Sequence, residues 1–185
     1  MPKSYLLYAT YILSFIFVSF FPTVSIGQNV NFKWVKTAGN SGFDLDKLVI
    51  IDRNKYVISA GEFVGQVDFD FGPGTYNLTE TGNQRDIFIS KIDTGGSFIW
   101  AKQIGGTLDE ELTSIINDKQ GNIYVATYYG VQIFNSKGEF VGMINVPSFP
   151  VSLCFGDSDM KTLYIVSYSK VYKIRTNMEG FVNYL

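Results

Sequence analysis

The stretch Asp118–Thr127 reads as a polar turn, Asp-Lys-Gln-Gly-Asn, running straight into an apolar strand, Ile-Tyr-Val-Ala-Thr, and pieces of it return on both sides. Tyr124-Val125-Ala126-Thr127-Tyr128 is matched 40 residues later by Tyr164-Ile165-Val166-Ser167-Tyr168, and Val131 is matched by Val171 at the same interval. Upstream, Phe32-x-Trp34-x-Lys36-x-x-Gly39 is repeated 66 residues later as Phe98-x-Trp100-x-Lys102-x-x-Gly105, and Asp52 and Asp118 keep that interval. A unit of about 40–45 residues made of four short strands marks a β-propeller blade. Each such sheet has two apolar faces that it cannot bury alone, so neighbouring blades must cover them. An interval of 66 exceeds one blade, which places an insertion or an irregular blade in the N-terminal half.

Alternation and turn residues predict strands at 31–36, 45–51, 56–61, 86–92 and 97–104. Val64–Phe71 alternates, with Val67, Phe69 and Phe71 on one side and Gln66, Asp68 and Asp70 on the other. Asp109–Ile116 comes nearest to a helical pattern, but its Thr and Ile residues favour a strand. Hydrophobic residues at 46% and aromatics at 16%, rich in β-branched types and glycine, supply a core for strands joined by tight turns. The expected fold is all-β: a partial or irregular β-propeller of about three to four blades at about 40 residues each, preceded by a signal peptide.

Residues 1–27 stand apart. Lys3 is the single charge before Lys33, Tyr5–Phe21 is almost wholly apolar, and Ser25-Ile26-Gly27 offers small residues at the −3 and −1 positions of a cleavage site. This is the pattern of a secretory signal peptide cleaved after Gly27; an uncleaved N-terminal membrane anchor is the alternative. The expected domains are therefore 1–27, the signal peptide, and 28–185, the repeat domain. Export places the protein in the periplasm, at the cell surface or in the medium.

Composition excludes several chemistries. There is no histidine, so Ser-His and Cys-His catalysis and His-ligated zinc are absent. Net charge is −2 with no basic block, which argues against nucleic acid as a partner. The single cysteine, Cys154, sits in the apolar run Val151–Phe155 and reads as a buried thiol. Asp68 and Asp70 read as the solvent face of a strand rather than a calcium site, because further oxygen donors are not evident nearby, and Asp157 and Asp159 read as a turn ahead of the strand Leu163–Ser167 rather than metal ligands. Asp109-Glu110-Glu111 reads as a solvated loop, and Asn77-Leu78-Thr79 fits an N-glycosylation sequon. Trp34 and Trp100 occupy equivalent repeat positions, which points to packing between blades.

Two family resemblances follow from these residues. Val67–Gly74, Asp86–Lys91, Phe98–Gly106 and Gly121–Val125, within about 30–128, resemble the bacterial β-propeller repeat of secreted and cell-surface proteins, which implies a fold but no reaction. Asp118-x-x-Gly121-Asn122-Ile123-Tyr124-Val125-Ala126, Gly130–Phe134, Gly138, Phe155-Gly156-Asp157 and Lys161–Ile165, within about 112–180, resemble the gluconolactonase and senescence-marker-protein (regucalcin-like) family. That resemblance implies a propeller holding a divalent metal on its axis and opening lactones or related esters. Where the family carries a metal-binding Asp-Gly ahead of the Asp-x-x-Gly-Asn turn, this chain has Thr113 and Ser114. A threonine hydroxyl supplies neither the charge of a hard-cation ligand nor a general base near neutral pH.

Two functions stand beside each other at this point. One is an exported, non-catalytic propeller repeat protein that serves as a binding or scaffold module for a protein or carbohydrate ligand, with no catalytic, cofactor-binding or metal residues assigned. The other is a calcium- or zinc-dependent lactone or ester hydrolase lacking its key carboxylate. Exposed blade edges would also favour self-association.

Overall fold

The computed structural model describes residues 31–182. The chain divides into residues 1–32 and residues 33–185, and the fold below is that of the second unit. The expected signal peptide, residues 1–27, lies outside the described residues.

Blade 1 begins with β1 (Asp44–Ile51) and β2 (Val57–Phe63). A small hairpin follows, β3 (Gln66–Asp68) and β4 (Asn77–Thr79), before the blade is completed by β5 (Asp86–Ile92) and β6 (Phe98–Ile104). Its strand order is β1-β2-β5-β6. Blade 2 runs in simple chain order through β7 (Leu112–Asn117), β8 (Ile123–Thr127), β9 (Gly130–Phe134) and β10 (Phe140–Ile144). Blade 3 consists of β11 (Pro150–Gly156), β12 (Thr162–Ser167) and β13 (Lys170–Arg175). Every pairing is antiparallel, and the described residues contain no helix. The protein is all-β, a run of consecutive propeller blades.

Turn chemistry explains why the blades repeat. Between the first two strands of blades 1 and 2, one carboxylate oxygen accepts two backbone N–H groups. Asp52 takes those of Asn54 and Tyr56 at 2.8 and 3.0 Å, and Asp118 takes those of Gln120 and Asn122 at 2.9 Å each. Ahead of the fourth strand the same device returns: Asp93 accepts from Gly95 and Ser97, and Asn135 from Lys137 and Glu139. Gly96 and Gly138 close those turns at φ 81° and 77°, a region that costs glycine nothing.

Strand β8 is buried along its whole length and faces both ways. Ile123 and Val125 join Ile58, Ala60, Ile87 and Ile89 of blade 1 in one core; Tyr124 and Ala126 join Leu153, Leu163 and Ile165 of blade 3 in another. Each fully buried aliphatic side chain contributes about 1.5–3 kcal/mol, so this strand anchors both junctions. A third core lies on the far side of blade 1, where Val67 and Phe69 of the hairpin segment cover Phe63, Phe88 and Ala101. That hairpin, inserted between β2 and β5, accounts for the interval of 66. Across the blade 1–blade 2 junction without it, Asp93 and Asn135 stand 42 residues apart.

The structure corrects four expectations. Residues 31–36 form no strand ladder; their sequence is that of a fourth strand, and the three strands it would pair with do not precede it in the described chain. Val64–Phe71 pairs only over Gln66–Asp68, because Asp68 and Asp70 bend the chain instead. The Asp68 carboxylate accepts from Asp70 and Tyr76 N–H at 3.0 and 2.8 Å, and Asp70 accepts from Gly72 at 2.8 Å. Cys154 is exposed, not buried: it alternates with Leu153 and Phe155, which pack on blade 2, and so points to the opposite face of blade 3. Glu110 is buried at 3% exposure, while its neighbours Asp109 and Glu111 are solvated.

Candidate functional site

Strands β1, β7 and β11 each begin their blade, and β7 lies against both β1 and β11. Thr113 and Ser114 lie here, on β7, where the sequence resemblance would place a metal-binding carboxylate. A bulge between Leu112 and Ser114 lifts Thr113 out of register. Its hydroxyl donates to Pro150 O at 2.8 Å and lies 3.2 Å from Ala126 O. Ser114 Oγ accepts the Leu153 N–H at 3.1 Å. Both side chains stitch blade 2 to blade 3. Among the described residues no group of three or more Asp, Glu, Cys or His is placed to hold a metal ion.

Charged groups gather beside this strand at the blade 1–blade 2 junction. The Glu62 carboxylate is fully buried and accepts from Lys47, from Arg85 at 2.9 Å and from the Leu112 N–H at 3.0 Å. Arg85 also grips Asp109 through Nε and Nη2, and that hydrogen bonding holds the Asp109 carboxyl below its ordinary range. A buried carboxylate with every bond made is a fixed structural element, since removing one partner would leave a desolvated charge. Glu110 differs: burial, then the neighbouring Asp86 and Asp109, push its carboxyl up. Glu110 Oε2 and Asp86 Oδ1 have no hydrogen-bond partner among the described residues.

Asp157 and Asp159 shape the turn before β12, and neither converges with another acidic group on a cation site. Asp157 accepts from Thr162 and from Tyr164 Oη at 2.7 Å and pairs with Lys173 at 3.2 Å; Asp159 pairs with Arg175. Hydrogen bonds from Thr162, Tyr164 and Lys173 push the Asp157 carboxyl down to about 2. Asn77 of the sequon is exposed on β4.

Sequence reasoning missed an aromatic shelf. Tyr128 and Tyr129 occupy the β8–β9 turn, Tyr168 the β12–β13 turn, and Phe149 leads into β11. Their rings form a chain: Tyr129 to Tyr128 at 5.6 Å, Tyr128 to Phe149 at 5.6 Å, and Phe149 to Tyr168 at 5.8 Å. Tyr128 and Tyr168 are 64% and 78% exposed. With Val146, Pro147 and Ser148 they line a cavity of about 380 Å³. The available signal was the tyrosine that directly follows the buried strand in both repeats.

Stacked blades of antiparallel strands, joined through buried faces and carrying repeated Asx turns, define a β-propeller protein. Residues 80–169 match the family model of the SMP-30/Gluconolactonase/LRE-like region, which bears out the resemblance read from the C-terminal half. An uncharacterized WD repeat-containing protein of Acanthamoeba polyphaga mimivirus is 28% identical over 153 residues, covering 74% of this chain and 11% of that protein. The chain thus spans about a tenth of that relative's length. Among solved structures, a protein provisionally described as a gluconolactonase superposes with a TM-score of 0.41 at 16% identity, covering 73% of this chain and 59% of the other. The extracellular domain of a B. thetaiotaomicron protein, provisionally described as a hybrid two-component system, gives 0.45 at 18% identity, covering 75% and 21%.

Proposed function

We propose that this chain is an exported, non-catalytic propeller module that binds a carbohydrate on the shelf of Tyr128, Tyr129, Phe149 and Tyr168. One observation carries the reading: four aromatic rings in a connected row, three of which (Tyr128, Phe149 and Tyr168) line an open cavity, with two of the tyrosines mostly exposed. Tyrosine offers an apolar ring face and a hydroxyl that stays wet, which suits the alternating C–H and O–H surface of a sugar ring. Support against catalysis comes from Thr113 and Ser114, whose hydroxyls are committed to blade 3. Export rests on the apolar segment ahead of Gly27, with residues 1–27 as the leader and 28–185 as the working domain. Among the described residues no helix is long and apolar enough to cross a membrane.

Titration calorimetry against a panel of oligosaccharides tests this reading. Binding that disappears in Tyr128→Ala and Tyr168→Ala, with the circular dichroism unchanged, supports it; no binding by any saccharide refutes it. The metal-dependent lactonase alternative is favoured only by the family match of residues 80–169. It predicts lactone hydrolysis that appears on adding calcium or zinc and vanishes with chelator.

A further inference from the structure

Trp100 on β6, the fourth strand of blade 1, is seated on the turn before the fourth strand of blade 2. Its indole N–H donates to Ser136 O at 3.3 Å, and its ring lies close against Gly138. Trp34 repeats the arrangement one blade earlier. Its indole N–H donates to Thr94 O at 3.1 Å, and its ring lies close against Gly96. Lys36 and Lys102 flank the two glycines in the same way. Residues 33–36 therefore sit where the fourth strand of a preceding blade belongs, yet among the described residues they pair with no sheet.

Blade 3 has the opposite deficiency. Among the described residues β13 pairs only with β12. Among the described residues the chain beyond it does not run along β13. Glu179 O and the Gly180 and Phe181 N–H groups bond instead to Lys119, Met160 and Asn117, beneath the turns of blades 2 and 3. The outward face of blade 3 carries Tyr164, Val166 and Val171 at the positions that Tyr124, Ala126 and Val131 use on blade 2 to bury blade 3. Here Val166 is 40% and Val171 66% exposed. Lys173 and Arg175 on the free strand are paired with Asp157 and Asp159, so they do not present unneutralised charge to Lys33 and Lys36. At the other end, the outward face of blade 1 keeps an open cavity of about 340 Å³ whose wall joins the apolar Trp34, Val49 and Val57 to the charged Lys36, Asp46 and Lys47.

We propose that a second copy of this chain joins these ends: residues 33–36 of each copy complete the β13 edge of the other, and the outward face of blade 3 packs on the part of its partner's blade 1 that the β3–β4 hairpin segment leaves uncovered. Among the described residues the two ends do not meet within one copy, because blades 1 and 3 pack on opposite faces of blade 2. Two copies of the three described blades give six, within the range of about 4–8 blades over which propellers close. The contact is head-to-tail, and two identical contacts close a two-fold ring. This association stands apart from ligand binding on the aromatic shelf.

Sedimentation velocity on the purified chain tests the proposal, with Val171→Glu and Trp34→Ala as variants. Val171 is exposed, so its replacement leaves the fold intact, as circular dichroism will check. The expected mass is twice that of the chain; each variant alone gives monomer, and an equimolar mixture of the two regains dimer through its one intact contact. Cys154, on the same outward face, provides a readout without mutation: its reaction with a thiol reagent slows as the concentration rises into the dimer range. A monomer at every concentration overturns the proposal. So does a dimer that Val171→Glu breaks and Trp34→Ala does not, which would be symmetric pairing of two blade 3 faces. A mass that keeps growing with concentration overturns ring closure.

Discussion

Blades 2 and 3 present the same face twice, and its fate differs. Tyr124, Ala126 and Val131 are 4%, 0% and 0% exposed, whereas Val166 and Val171 are 40% and 66% exposed. Even the polar anchor is shared. Tyr124 Oη donates to Asp118 at 3.2 Å and Tyr164 Oη to Asp157 at 2.7 Å. Around Asp118 the neighbouring blade has driven water out, and burial followed by the carboxylate's charge holds the Tyr124 phenol far above its usual range. Asp157 stays exposed, and hydrogen bonds from Thr162, then Tyr164 and Lys173, pull its carboxyl down. Burial here is a property of what stands next to the strand, not of the strand's own residues.

The comparison yields measurements of decreasing size. Tyr124→Ala should cost about 3–5 kcal/mol in urea unfolding, the range for deleting a buried aromatic ring, while Tyr164→Ala should stay within about 1 kcal/mol. Equal losses would erase the distinction between the faces. Asp118→Ala strands the Gln120 and Asn122 N–H groups and should lower stability by about 2 kcal/mol; Asp157→Ala, at an exposed turn, should cost less by the same assay. Thr113→Val removes the bond to Pro150 O and should cost about 1 kcal/mol. It should leave calcium and zinc binding, read by calorimetry, unchanged.

The smallest effect is in pH. The folded Asp157 carboxyl lies at about 2 against an ordinary 3.8. Its contribution is therefore complete above 3.8 and is lost as the pH falls towards 2. Asp157→Asn should flatten that part of the unfolding profile, and an unchanged slope would show that the exposed bonds carry nothing.

Much of this fold was legible because its turns announce themselves. Asp52, Asp93 and Asp118 each stand at the head of a tight turn, and the strands beside them fall where alternation puts them. The interval of 66 correctly signalled an insertion. What escaped was context. Trp34 and Trp100 have the same sequence surroundings, yet only the second lies on a paired strand, since pairing depends on three other strands being present. Cys154 lies in an apolar run and was read as buried; alternation turns it to a face left open among the described residues. Glu110 sits between two solvated acids and still faces inward. The aromatic shelf is assembled from two turns and a connecting segment, at Tyr128, Phe149 and Tyr168, and no local pattern joins them.

Trp34 and Trp100 are the only tryptophans in the sequence, and each lies against the turn of the following blade through an indole N–H bond. The molecule consequently carries its own fluorescent gauges, one at an interior joint and one at an outer end. With Trp100→Phe the remaining emission reports the terminal joint alone, and with Trp34→Phe it reports the interior one. Loosening at the two places can then be timed separately without attaching a dye.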